Sequence, residues 1–363
     1  MSASAHNYLL DKLAAACDAR EDARTPATNA KLDRAWVRWK QFIHTIELQQ
    51  DEFLDTFTQQ DRVRILGAFA QAVRERELSR NGESQLASST CKEAVDKVAE
   101  VYRANNRPDP RHGLSNDLDD NLRLQFRGYT NNDPPIRQQK AITPSFYRNN
   151  YNRSTTHYQK ALSTLSIAAF FWACRSCEYV KAPSHRKTKL ARIRDIRFFS
   201  GNRELQYSDP HLINAERVSW TFVAQKNEEK NITIPQDNNN DPLMNPVRAL
   251  ASTIQRILSY PGTTIDSPIC TYMSGGKLFE FTQDDLLSNF RENAACIGKD
   301  KLGFEPANIG THSNRSAAAM GMFMDNTLVY MIMRMRRWFS DAFLKYIRRQ
   351  VLELSIGMSL WMI

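Results

Sequence analysis

Arg217-Val218-Ser219-Trp220-Thr221-Phe222-Val223-Ala224 and, a few residues on, Asn231-Ile232-Thr233-Ile234 decide the class of the second half of this chain. Val218, Trp220 and Phe222 alternate with polar residues, and Ile232 and Ile234 do so again. A period of two marks a strand with one buried face. Two such runs joined by a polar stretch, Gln225-Lys226-Asn227-Glu228-Glu229-Lys230, form a hairpin with a lysine-bearing tip. Ile193, Ile196 and Phe198 predict another strand upstream.

Outward from the hairpin the spacing is helical. Tyr158, Leu162, Leu165, Ala169 and Trp172 give a long apolar helix ending near Arg175. Asn245-Pro246 opens a helix with a cap and a proline in the first turn. Thr282 opens another, with Asp285 three residues on as a capping box. His312 to Gln350 reads as three short helices with turns near Asn326 and Ser340. In the first third, Leu32, Trp36, Trp39, Phe42, Ile43 and Ile46 keep a helical period, as do Val63, Leu66, Phe69, Ala70 and Val73. Ser89 is placed to cap a third helix carrying Val95, Val98 and Tyr102. Residues 103–117 read as a loop and Leu118 to Phe126 as a short helix. Asn131-Asn132-Asp133-Pro134-Pro135 then breaks the chain. The expected organisation is a helical N-terminal domain over 1–130, a linker over 131–150, and a second domain over 151–363. The last is mixed α+β, mainly helical, with a small antiparallel sheet.

A length of 363 residues, 42% of them hydrophobic, suits two domains with real cores. The formal net charge is +9, which favours an anionic partner such as nucleic acid or a membrane surface. The charge is concentrated: Arg137 to Arg197 holds thirteen Lys or Arg against Glu178 and Asp195, whereas Met1 to Gln60 holds seven basic and nine acidic residues. No apolar run approaches the ~20 residues that span a bilayer, and the tail Ser355 to Ile363 is too short for it. The start, Met1 to Leu10, lacks a basic region followed by an apolar stretch. Six cysteines in a chain this long show no disulfide framework, so a reducing, intracellular compartment is expected. Cys174 and Cys177 have the spacing of a zinc or redox half-site, but no second pair follows. They read as small packing residues around Arg175.

Three pieces carry chemistry: Phe171-Trp172-Ala173-Cys174-Arg175-Ser176-Cys177-Glu178-Tyr179, Gly310-Thr311-His312-Ser313-Asn314-Arg315-Ser316, and Arg337-Trp338 through Lys345-Tyr346-Ile347-Arg348. Arg315 lies three residues after His312, Trp338 twenty-three after Arg315, and Tyr346 eight after that. None of these pieces is diagnostic alone. In this order, with the hairpin lysine between the first and second, they resemble the tyrosine recombinases, the phage integrase-like family. The texture is closest to the crypton-type and DIRS-type recombinases of eukaryotic mobile elements. The likeness spans roughly residues 150–350.

That resemblance implies a fold, a partner and roles. The N-terminal domain would be a core-binding, SAM-like helical DNA-binding domain, closing with the catalytic domain around duplex DNA. Arg175 and Arg315 would clamp the non-bridging oxygens of a phosphodiester, which a planar guanidinium does bidentately. Tyr346 would be the nucleophile, its phenol (normally near pKa 10) favoured as the anion by the two arginines. Lys226 would protonate the leaving 5′-oxygen; Lys230 shares its hairpin. His312 would orient the phosphate or share proton traffic, Trp338 would donate an indole N–H, and Glu178 would support Arg175 as an ion pair rather than act as an acid. No metal or other cofactor is implied. Synapsis would take four protomers, with no membrane and no small-molecule substrate, in the nucleus if the host is a eukaryote. A type IB topoisomerase-like nicking-closing enzyme and a catalytically decayed DNA-binding descendant share these features. One residue departs from the pattern: the family favours Gly where this chain has Arg337. If the backbone there is left-handed, Arg is strained, and Arg337→Gly is expected to raise activity.

Overall fold

The computed structural model describes residues 3–22, 24–78, 84–113, 116–135, 139–183, 188–225, 229–325 and 327–337. Lys226, Trp338 and Tyr346 therefore lie outside the described residues. Two units are present, Met1–Ile136 and Arg137–Ile363.

The first unit is helical: α1 (Ala3–Asp22), α2 (Pro26–Thr45), α3 (Gln59–Arg74), α4 (Ser88–Ala104) and α5 (Asp120–Asn132). Thr25 caps α2 by accepting from the Thr28 amide, and Pro26 occupies the first turn, where its missing N–H costs nothing. Leu32, Trp39, Phe42 and Ile43 are buried on one stripe of α2, against which α4 packs Val95, Val98 and Tyr102. Ile46 falls just past the helix and is 37% exposed. The third helix starts one residue before the expected cap: Ser88 is already helical, and Ala87 at the N-cap offers no side-chain acceptor. α5 runs on through Asn132, past the expected end at Phe126, because Tyr129 still faces the core.

The second unit begins with α6 (Pro144–Arg153), α7 (His157–Phe171) and the single turn α8 (Ser176–Tyr179). Strands β1 (Ile196–Ser200), β2 (Arg203–Leu205), β3 (Arg217–Ala224) and β4 (Lys230–Asp237) form an antiparallel sheet in the order β2-β1-β3-β4. Helix α9 (Pro246–Leu258), hairpin β5 (Thr271–Ser274)–β6 (Lys277–Glu280), and helices α10 (Gln283–Ile297), α11 (Lys299–Leu302), α12 (Ser313–Met324) and α13 (Val329–Arg336) complete the described chain. This is the expected class: mainly helical, with a small antiparallel sheet. Both expected caps form, Asn245 accepting from the Arg248 amide and Thr282 exchanging bonds with Asp285.

The register of the sheet aims one face at the helices. Ile196 pairs with Trp220, Trp220 with Ile234, and Phe222 with Ile232. Trp220 is fully buried, stacks on Phe222 at 5.3 Å and meets Trp172 at 5.5 Å. Trp172, the last residue before the turn that leads to Arg175, donates its indole N–H to the Ile234 carbonyl at 2.8 Å. The alternating strand residues thereby fix the end of α7, and with it Arg175, against the hairpin. None of the helices described is long and apolar enough to cross a membrane.

Candidate active site

Helix α7 ends in a way that few residues other than glycine allow. Ala173 has φ +47°, its amide bonds the Phe170 carbonyl, and the Cys174 amide bonds the Ala169 carbonyl. That pair of bonds is the Schellman motif, which favours glycine at the left-handed position; alanine there costs roughly 1–2 kcal/mol. The turn delivers two things. It points the chain into Arg175, which caps α8, and it presents the Ala173 carbonyl to Arg315, whose Nη1 donates to it at 3.0 Å.

Arg315 is carried by α12 in its first turn, three residues after the helix-capping His312. The helix start is held by Ser313, whose Oγ accepts from the Gly310 amide, and by Asn314, which accepts from the buried Tyr147 hydroxyl. His312 is exposed, and its amide donates to Gln139 Oε1 at 2.9 Å. Gln139 precedes every element of the second unit and was missed in the sequence, where a lone Gln in a polar stretch has no signature.

Glu178 is 1% exposed and ties the site together. Its Oε1 accepts from Arg175 Nη1 at 2.9 Å and its Oε2 from the Arg175 amide at 2.8 Å. Oε2 also accepts from Arg337 Nη2 at 2.7 Å. Arg337 itself has a left-handed backbone, φ +56° and ψ +45°, at the end of α13. Its guanidinium is buried and lies 3.5 Å from the centre of the Phe222 ring. One buried carboxylate thus serves two arginines while a third, Arg315, stands nearby at 4% exposure. Burial and the neighbouring charge of Arg175, with a further push from Arg337, pull Arg315 down to about 9. Arg315 stays cationic at neutral pH, but it is held among like charges, and an anion would relieve it. The Cys174 thiol between them is pushed well up by burial, so it stays neutral.

The backbone at Arg337 is left-handed as the expectation for Arg337→Gly required, and the geometry adds a cost in stability. Relief of a left-handed non-glycine residue is worth roughly 1–3 kcal/mol. Removing one partner of a buried ion pair costs roughly 3–5 kcal/mol. The second effect wins in stability, and Arg337→Gly is expected to lower the stability of the fold. A larger loss is expected for Glu178→Gln, which keeps the shape but leaves three guanidiniums without a carboxylate. Its urea midpoint should fall by an amount equivalent to about 3–5 kcal/mol; an unchanged midpoint would show that the cluster is not held by that charge.

Arg175, Glu178 and Arg315 are brought together by α7, α8 and α12, while His312 stands exposed at the start of α12, three residues before Arg315. Strands β3 and β4 pair from Ala224↔Lys230 inward, and Lys230 is exposed. The basic stretch 137–197 is less positive in space than along the chain: Arg148 pairs with Asp241, Lys181 with Glu280, Arg194 with Asp266 and Arg197 with Glu204. Among the described residues no three His, Cys, Asp or Glu side chains gather as metal ligands, and Cys174 and Cys177 are buried and not joined in a disulfide.

No protein-family model matches the chain, and no curated protein matches it. Solved structures do match. Among them is the Tn1549 transposon integrase (its residues 82–397), in complex with circular-intermediate DNA, at 9% identity and a TM-score of 0.46, covering 86% of this chain and 94% of that chain. A likeness at that level says nothing of chemistry, which rests on this chain's own residues.

Proposed function

We propose that the chain is a DNA strand transferase of the tyrosine recombinase kind, acting on duplex DNA and originating from a mobile element. The observation that carries this reading is the pair Arg175 and Arg315, both largely buried and held by fixed partners in one net-positive cluster. Preorganised donors of this kind stabilise charge that develops on a phosphoryl group during in-line attack. Hydrolytic chemistry with a bound water would not require the Trp338 and Tyr346 that follow in the sequence.

In the reaction, Tyr346 as its phenolate, favoured by the neighbouring guanidiniums, attacks the phosphorus and the bond to the 5′-oxygen breaks. A 3′-phosphotyrosine forms, and Lys226 gives its proton to the leaving 5′-oxygen. A free 5′-hydroxyl later attacks the phosphotyrosine, Lys226 takes the proton back, and Tyr346 is released. Arg175 and Arg315 hold the non-bridging oxygens throughout, and Trp338 adds an indole donor. Exchange between two sites uses four protomers on paired DNA.

The lysine assignment is testable separately. Lys226→Ala is expected to slow cleavage of ordinary duplex by about 10²–10⁴-fold, the usual contribution of a positioned acid. With a bridging 5′-sulfur the leaving thiolate needs no proton, and cleavage should return to near the wild-type rate. Rescue of Lys230→Ala instead, with Lys226→Ala behaving as wild type, moves the role to Lys230.

A further inference from the structure

We propose that Arg337 is a positioning residue of the phosphate site: it grips Glu178 on the oxygen that also holds the Arg175 backbone, and sets a third fixed positive charge beside Arg315. The inference rests on the reading of Arg175 and Arg315 as phosphate ligands.

Four observations point the same way. The Arg337 side chain is 1% exposed, the same as its partner Glu178, so the pair is part of the interior and not a surface contact. The guanidinium plane has a second anchor, the Phe222 ring 3.5 Å from its central carbon, and Phe222 belongs to the strand that leads to the Lys226 hairpin. A strained backbone persists only where its surroundings over-determine it, and here the surroundings are the site itself. Finally, Arg337 Nε and Nη1 are buried with no hydrogen-bond partner among the described residues. An arginine placed only to neutralise Glu178 would close its fork on that carboxylate; this one reaches the carboxylate through Nη2 alone.

The consequence is a division of labour. Glu178 is shared, so neither arginine is fully neutralised by it. Arg175, Arg315 and Arg337 face one carboxylate, and the cluster carries an excess of two positive charges before any ligand arrives. That excess suits a phosphate anion. With Arg337 absent, Glu178 would pair with Arg175 alone and compete with the phosphate for its guanidinium.

Orthovanadate, a phosphate-sized anion, is the probe. Its binding to the full chain would be measured by titration calorimetry below the melting temperature of every variant, with a thermal melt of each. The wild type should bind and Arg315→Ala should not. Arg337→Gly and Arg337→Gln should bind at least about 10-fold more weakly, the cost of a lost charged donor, and Arg337→Lys should recover most of that loss by keeping the charge. A structural role alone would move the melting temperature and leave the vanadate Kd unchanged. If Arg337→Gly does not fold, Arg337→Gln and Arg337→Lys carry the comparison. Wild-type affinity in Arg337→Gln overturns the role of Arg337 while leaving the phosphate site standing. No vanadate binding by the wild type, or undiminished binding by Arg315→Ala, overturns the phosphate site and this inference with it.

Discussion

An Arg315→Ala variant is expected to lose strand cleavage by roughly 10²–10³-fold, the usual cost of one preorganised donor to a developing oxyanion. Two losses combine in that figure. The charge that faces the phosphate disappears, and the Ala173 carbonyl, which accepts from Arg315 Nη1, is left without its donor. The second loss loosens the left-handed turn that positions Arg175, so the effects of Arg175→Ala and Arg315→Ala should not add. Duplex affinity should change far less, because it is spread over many Lys and Arg contacts to phosphate and falls with salt. Arg315→Lys should recover only part of the rate, since a point charge lacks the fork that holds Ala173 and a phosphate oxygen together. Single-turnover cleavage of end-labelled duplex, beside filter binding over a salt series, separates the two effects. Equal losses in binding and cleavage would place Arg315 in general DNA affinity and not in the chemistry.

Much of the frame was legible because local rules and tertiary structure agree there. Asn245 and Thr282 cap the helices they announce, and the alternation Val218-Trp220-Phe222 is the inward face of β3. Glu178 as the ion-pair partner of Arg175 was implied by the resemblance, and the pair forms at 2.9 Å. The hairpin β5–β6 was equally readable but passed over: Gly275-Gly276, both at positive φ, sits between its strands, the two-residue turn that such hairpins prefer.

What escaped was long-range. Glu178 and Arg337 lie 159 residues apart, and a rule that prefers glycine at position 337 says nothing of where an arginine side chain would go. From the sequence, Arg337 was strain alone; in the structure, that strain is matched by a buried ion pair and an aromatic contact. The same limit applies to the basic stretch 137–197, whose neutralising acids Asp241, Asp266 and Glu280 come from later in the chain. Ala173 was invisible for the opposite reason: alanine is an ordinary helix residue, and only the Schellman bonds show it at φ +47°.

The largest single effect belongs to Tyr346. Tyr346→Phe removes one oxygen and keeps the ring, so packing and DNA affinity should survive while the nucleophile is gone. General acid, clamp and support all act on a bond that this oxygen must first form, so no partial activity is expected. A metal is not part of the proposed chemistry: guanidiniums and an ammonium supply the charge that a divalent ion supplies elsewhere. The most direct measurement is therefore denaturing gel migration of end-labelled duplex DNA incubated with wild type and Tyr346→Phe in excess EDTA. The account predicts a protease-sensitive, slowly migrating protein–DNA adduct with the wild type and none with Tyr346→Phe at equal DNA binding. An adduct that persists in Tyr346→Phe, or that the wild type forms only when magnesium is restored, would contradict it.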